Sequence, residues 1–151
     1  MRIYFIDGNN LMGKIPSLKN KIKSDKIFVR EQLVVQLDRA FGNSNNKVTL
    51  FLDGYMNDLI RSNKMKIVYS DSRPADLVIK DEIDRSKNPR NLIVVSSDHE
   101  VINYGKKSCC DTMTSEDFIA RFFSKGNEKE ELEKIKDLEK QNDEFKKLFG
   151  I

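Results

Sequence analysis

Four aspartates stand where apolar runs of this chain stop or where a helix-like run begins. Asp7 closes RIYFID, Asp53 closes KVTLFLD, Asp98 closes NLIVVSSD, and Asp76 follows Pro74 by two residues. A carboxylate is a hard oxygen donor and a poor neighbour for another carboxylate, so several at one place repel unless a cation stands among them. Mg²⁺ and Mn²⁺ are the ions that such donors hold, with several waters retained. An ion held in this way activates water and neutralises charge on a phosphodiester during in-line displacement. Each aspartate also has an ordinary use. Asp7-Gly8 and Asp53-Gly54 are turn dipeptides, and Ser97-x-x-Glu100 has the form of a capping box that would put Asp98 in a first helical turn. Asp76 in such a turn would complement the helix dipole by about 0.3–1 kcal/mol. Taken together, on one edge, the four are better explained by a metal.

Whether they share an edge depends on the elements that carry them. Nearly uninterrupted apolar runs predict strands at 2–7, 47–54, 65–70 and 91–98, with a fifth at 109–113. Between them, helices are expected at 24–42, with Ile27, Leu33, Val34, Leu37 and Phe41 along one side and Gly42 as the stop, and at 75–86, 99–107 and 114–125, the last capped by Thr114. This alternation predicts an α/β sandwich around a mostly parallel sheet. In such a sheet, ligands bind outside the carboxyl ends of the strands, which is where all four aspartates fall. The chain divides into a body, 1–126, and a tail, 127–151. In the tail Leu132, Ile135, Leu138, Phe145 and Phe149 recur at helical spacing, as in an amphipathic helix of about six turns laid over the body.

Composition narrows the function. At 151 residues the chain fits one domain, and a net charge of +3 sits as a basic body and an acidic tail. No apolar run approaches the length of a membrane span, and MRIYFI has the pattern of a strand rather than a signal peptide. Cys109 and Cys110 are adjacent and are the only cysteines, so reduced thiols in the cytoplasm are expected, and with one histidine a zinc site has no ligand spacing. Both cysteines fall in the expected fifth strand, without a partner for nucleophilic catalysis. His99 would run along a helix surface rather than serve as a base. No glycine-rich phosphate loop is present. The polar stretch 14–26 carries Lys14, Lys19, Lys21, Lys23 and Lys26 on a loop leaving the aspartate edge, where lysines would grip phosphates. Arg73, just before Asp76, is well placed for a scissile phosphate, and Tyr55 for stacking a base.

YFIDGNNLMG resembles the Asp-Gly-Tyr-Asn opening of NYN domains, which belong to the PIN-like nuclease group. SRPADLVIKDEI resembles their aspartate-led helix after strand three, and LIVVSSDHEVINYGKK their fourth strand and following helix. The order, the spacing and the final TMTSEDFIARF are most similar to the YacP-like bacterial branch, over roughly residues 2–125. The resemblance implies a PIN-like fold with strand order 3-2-1-4-5 and metal-dependent cleavage of RNA, which in YacP-like members is linked to messenger RNA on the ribosome. It assigns Asp7, Asp76 and Asp98 to the acidic catalytic and metal positions, and gives Asn10, Asp53 and Ser97 supporting places. Asn9 departs from the pattern, standing where an aromatic residue is common. Asp81 and Glu82 lie on other sides of the helix from Asp76. Two other readings compete: a non-catalytic RNA- or ribosome-binding module on the same fold, and an aspartyl phosphatase. The phosphatase would need a carboxylate where this chain has Asn9.

Overall fold

Ile3–Asp7 is built from β-branched and aromatic residues as far as the aspartate, and the computed structural model, which describes residues 1–56 and 60–123, puts it at the centre of the sheet as β1. It pairs in parallel with β2 (Lys47–Leu52) on one side and β4 (Leu92–Val95) on the other. The edge strands are β3 (Met65–Tyr69) and β5 (Asp111–Met113), giving the order β3-β2-β1-β4-β5. The chain runs outward from β1 to β3, then returns to β4 on the other side of β1. That reversal opens the sheet's switch point above β1 and β4.

Both faces of the central strands are covered, and side chains alternate between two cores. Tyr4, Ile6, Leu50, Leu52, Ile93 and Val95 face one layer, which holds α1 (Gly8–Met12), α3 (Lys26–Phe41) and α6 (Ser115–Phe122). Phe5, Phe51, Leu92 and Val94 face α4 (Ala75–Arg85) and α5 (His99–Lys107). On the first face Tyr4 meets Phe41 at 5.0 Å between ring centroids, and Phe118 stacks on Phe122 at 4.6 Å, which ties α6 to the centre of the sheet.

The structure differs from the sequence-based expectation in several places. Asp7-Gly8 is not a turn but the junction of β1 with α1. Gly8 is required there because a Cβ would stand 2.7 Å from both the Leu52 side chain and the Phe51 carbonyl oxygen. The stretch 14–26 is only partly loop: α2 (Pro16–Lys19) forms within it, and Ile15 and Leu18 are buried. Ile27, expected on the apolar side of α3, is half exposed, because the helix starts only at Lys26, capped by Asp25. Cys109 is not a strand residue. It takes a left-handed turn (φ 68°) after α5 and is exposed, whereas Cys110 is buried before β5 begins. Thr114 caps α6 as expected, through the Asp117 amide at 3.1 Å. The expected tail helix, 127–151, lies outside the described residues. Among the described residues no helix is long and apolar enough to cross a membrane.

Candidate active site

Asp7 ends β1 and also caps α1, so its carboxylate is held at the mouth of the switch point. Oδ2 accepts a hydrogen bond from the Ser96 hydroxyl at 2.9 Å, and Oδ1 accepts one from the Asn10 amide at 3.5 Å. The residue is only 7% exposed. Burial is the main reason its pKa is pushed up from an ordinary 3.8 to about 6. The two hydrogen bonds pull the other way, and the charges of Asp53 and Asp98 add repulsion.

The two asparagines of the opening stretch are braces. Asn9 Oδ1 accepts from the Asp53 amide at 2.9 Å, tying α1 to the end of β2. Asn10 Oδ1 accepts from the Ser97 amide at 2.9 Å and from the Ser115 hydroxyl at 2.7 Å, tying it to the end of β4 and the start of α6. Asp53 in turn reaches the next element. Its Oδ1 accepts from the Ala75 amide at 2.9 Å and so caps α4, where Pro74 in the cap position has no side-chain acceptor of its own. That cap places Asp76 in the first turn.

Asp98 corrects the capping-box expectation. The aspartate itself, not Ser97, caps α5, its Oδ1 accepting from the Glu100 amide at 2.9 Å. Ser97 turns instead toward α6: its hydroxyl donates to Glu116 and accepts from the Ser115 amide at 3.0 Å. The Ser97 bond, with Lys14 beyond it, holds the Glu116 carboxyl below the usual range.

One open cleft of about 230 Å³ is lined by Asp7, Asn9, Asn10, Asp53, Pro74, Ala75, Asp76 and Asp98. The four aspartates singled out in the sequence thus come together at the carboxyl edge of the sheet. Ser97 lines no part of the cleft and touches it through Asn10. Lys14 pairs with Glu116 at 3.2 Å and Arg73 with Asp81 at 2.8 Å, so two of the cations expected to meet phosphate are engaged with carboxylates. Glu82 pairs with Arg85, and neither Glu82 nor Asp81 lines the cleft. Lys19, Lys21 and Lys23 are exposed.

Ser96 escaped the sequence reading, although it is fully buried and bonds Asp7 directly. Strand register is the signal that finds it. Ile6 lies opposite Val95, so one step further Asp7 faces Ser96.

The donors in the cleft are oxygens only, and the innermost one is a carboxylate whose burial raises its proton affinity. That is the chemistry of a hard divalent cation rather than of zinc or copper. Among the described residues, no group of three or more His, Cys, Asp and Glu stands close enough to hold an ion as placed. Asp53 and Asp98 each spend an oxygen on a helix cap, and Asp76 comes from a separate element. The set therefore fits Mg²⁺ or Mn²⁺ by donor chemistry, with water completing the coordination, and not as a closed protein cage.

A five-stranded parallel sheet ordered 3-2-1-4-5, with acids converging at its switch point, is the architecture of PIN-like domains. The sequence profile of the YacP-like NYN domain matches residues 4–148, and the chain belongs to this family, a family of nucleases. Among solved structures it is similar to Rae1 (YacP) from Bacillus subtilis, with a TM-score of 0.72 at 15% identity over 97% of this chain and 86% of that one. The W164L mutant of the same protein matches with a TM-score of 0.69 at 16% identity, covering 82% and 76%. At such identity the likeness is one of fold. No curated protein matches the sequence.

Proposed function

We propose that this protein is a metal-dependent endoribonuclease that hydrolyses RNA phosphodiester bonds in the cytoplasm, with messenger RNA on the ribosome as the substrate its family branch suggests. The observation that carries the reading is Asp7, a carboxylate buried in an oxygen-lined cleft with three further aspartates around it and its pKa pushed up to about 6. A non-catalytic RNA-binding surface gains nothing from carboxylates converging where phosphates would lie.

Asp7, Asp76 and Asp98 would hold Mg²⁺ or Mn²⁺, which when bound supplies an activated water and offsets charge on the phosphate. Ser96 and the Asn10 amide fix the rotamer of Asp7, so that its lone pairs face the cleft at no further entropic cost. Asp53 holds α4, and with it Asp76, against the end of β2. Asn10 ties the stretch after β4, which carries Ser97 and Asp98, to the start of α6 at Ser115.

Calorimetric titration of Mn²⁺ and cleavage of a single-stranded RNA test this together, with Asp7→Asn and Asp98→Asn alongside. Asparagine caps a helix about as well as aspartate does, so Asp98→Asn removes charge while leaving α5 capped. Metal binding and cleavage in the parent chain, both lost in the folded variants, are the expected result. RNA bound in chelator and never cut at millimolar metal would instead make the chain an RNA-binding module on a nuclease fold.

A further inference from the structure

Arg30 and Asp7 are the two charged side chains that the described part of the fold buries. Arg30 projects from α3, is 5% exposed, and belongs to no step of the chemistry above. One nitrogen, Nη2, donates to the backbone carbonyl of Asp53. The guanidinium lies over the Tyr69 ring at 5.8 Å from its centroid. Nε has no hydrogen-bond partner, and among the described residues no carboxylate pairs with the group. A buried guanidinium without a counter-charge costs several kcal/mol, and a methionine would fill a similar volume without that cost. Stability therefore does not explain the residue.

Its contact does. Asp53 is gripped at three points by three elements: its amide by Asn9 of α1, its carboxylate by the Ala75 amide of α4, and its carbonyl by Arg30 of α3. Asn9 lies two residues from Asp7, and Ala75 adjoins Asp76. We propose that Arg30 is a positioning residue for the acid cleft, fixing the Asp53 backbone so that its carboxylate holds the start of α4, and thereby Asp76, in register with Asp7. The clamp itself is a matter of structure; its catalytic consequence rests on the nuclease reading. Lysine is a poor substitute. Its compact, strongly hydrated ammonium lacks the planar fork that lies over Tyr69 while reaching the carbonyl.

The test uses Arg30→Met and, should that variant not fold, Arg30→Lys, which keeps the charge and most of the stem. Amide exchange read by NMR reports the clamp directly, because the Ala75 amide is the donor to Asp53. In the folded variant, Ala75 should exchange about tenfold faster or more, while Ile6 and Val95 in the central strands keep their protection. With the parent chain and Asp7→Asn as controls, kcat for RNA cleavage should fall by about tenfold to a hundredfold at unchanged KM, as when a catalytic group is displaced by a fraction of an ångström. Unchanged exchange at Ala75, or unchanged kcat in an active parent chain, overturns the proposal. A parent chain that cleaves no RNA overturns the nuclease reading instead, and Ala75 exchange still decides the clamp.

Discussion

Burying Asp7 at the end of β1 sets stability against chemistry within one side chain. Its pKa of about 6 in the fold, against 3.8 outside it, means that between those values the folded chain keeps a proton the unfolded chain has lost. Stability of the metal-free protein therefore declines as pH rises from about 4 to about 6, and levels off above that. Asp7→Asn removes the penalty while keeping an oxygen for the Asn10 amide. In chelator at pH 8 it should be more stable than the parent chain by about 1–3 kcal/mol, and equal or less stable near pH 4. Urea denaturation across that range checks it; a gap that does not vary with pH would show that Asp7 is not titrating as its burial demands. Millimolar Mn²⁺ should narrow the gap at pH 8, since an ion bound only by the folded parent chain adds stability by mass action.

At the scale of elements, the cleft is made by helix starts. Asp7, Asp98 and, from another strand, Asp53 each accept a helical amide, so the ordinary uses of these aspartates and the chemical one are not alternatives. The sequence showed the acids and their edge because a strand's end is marked by composition: IYFID and LFLD stop being apolar where the carboxylate arrives. It did not show Ser96, whose partner is set by pairing between strands 89 residues apart. Nor did it show that Lys14 and Arg73 would be taken up by Glu116 and Asp81, since those pairs depend on how the loops that carry the cations fold against α6 and α4. The short α1 was hidden because GNN reads as a turn, and only packing against β2 selects the helix. Three substitutions separate these roles. Asp53→Ala removes the α4 cap and should cost about 0.5–2 kcal/mol, whereas Asp53→Asn should cost little. Gly8→Ala drives a methyl into Leu52 and the Phe51 carbonyl, and should cost about 1–3 kcal/mol by overpacking. Thermal or urea melts of the three variants rank them.

For the molecule as a whole, an acidic cleft has to receive a polyanion, so binding energy must come from cations away from the carboxylates. Lys14 and Arg73 are already paired, so on the proposed reading the exposed lysines of the segment leaving α1, namely Lys19, Lys21 and Lys23, would grip the flanking phosphates. Exposed cations act through counterion release, and on a single strand each phosphate contact contributes about 0.7 to the slope of log K against log salt. Replacing all three by alanine should therefore lower that slope by about 2 and weaken RNA binding most at low salt. These lysines make no contact with the cleft, so KM should rise while kcat at saturating RNA stays within about twofold. Fluorescence anisotropy with labelled RNA at several salt concentrations, paired with cleavage kinetics, separates the two quantities. A fall in kcat without a change in slope would place the lysines in the catalytic geometry rather than in the grip, and RNA would then have to be held from another face of the sheet.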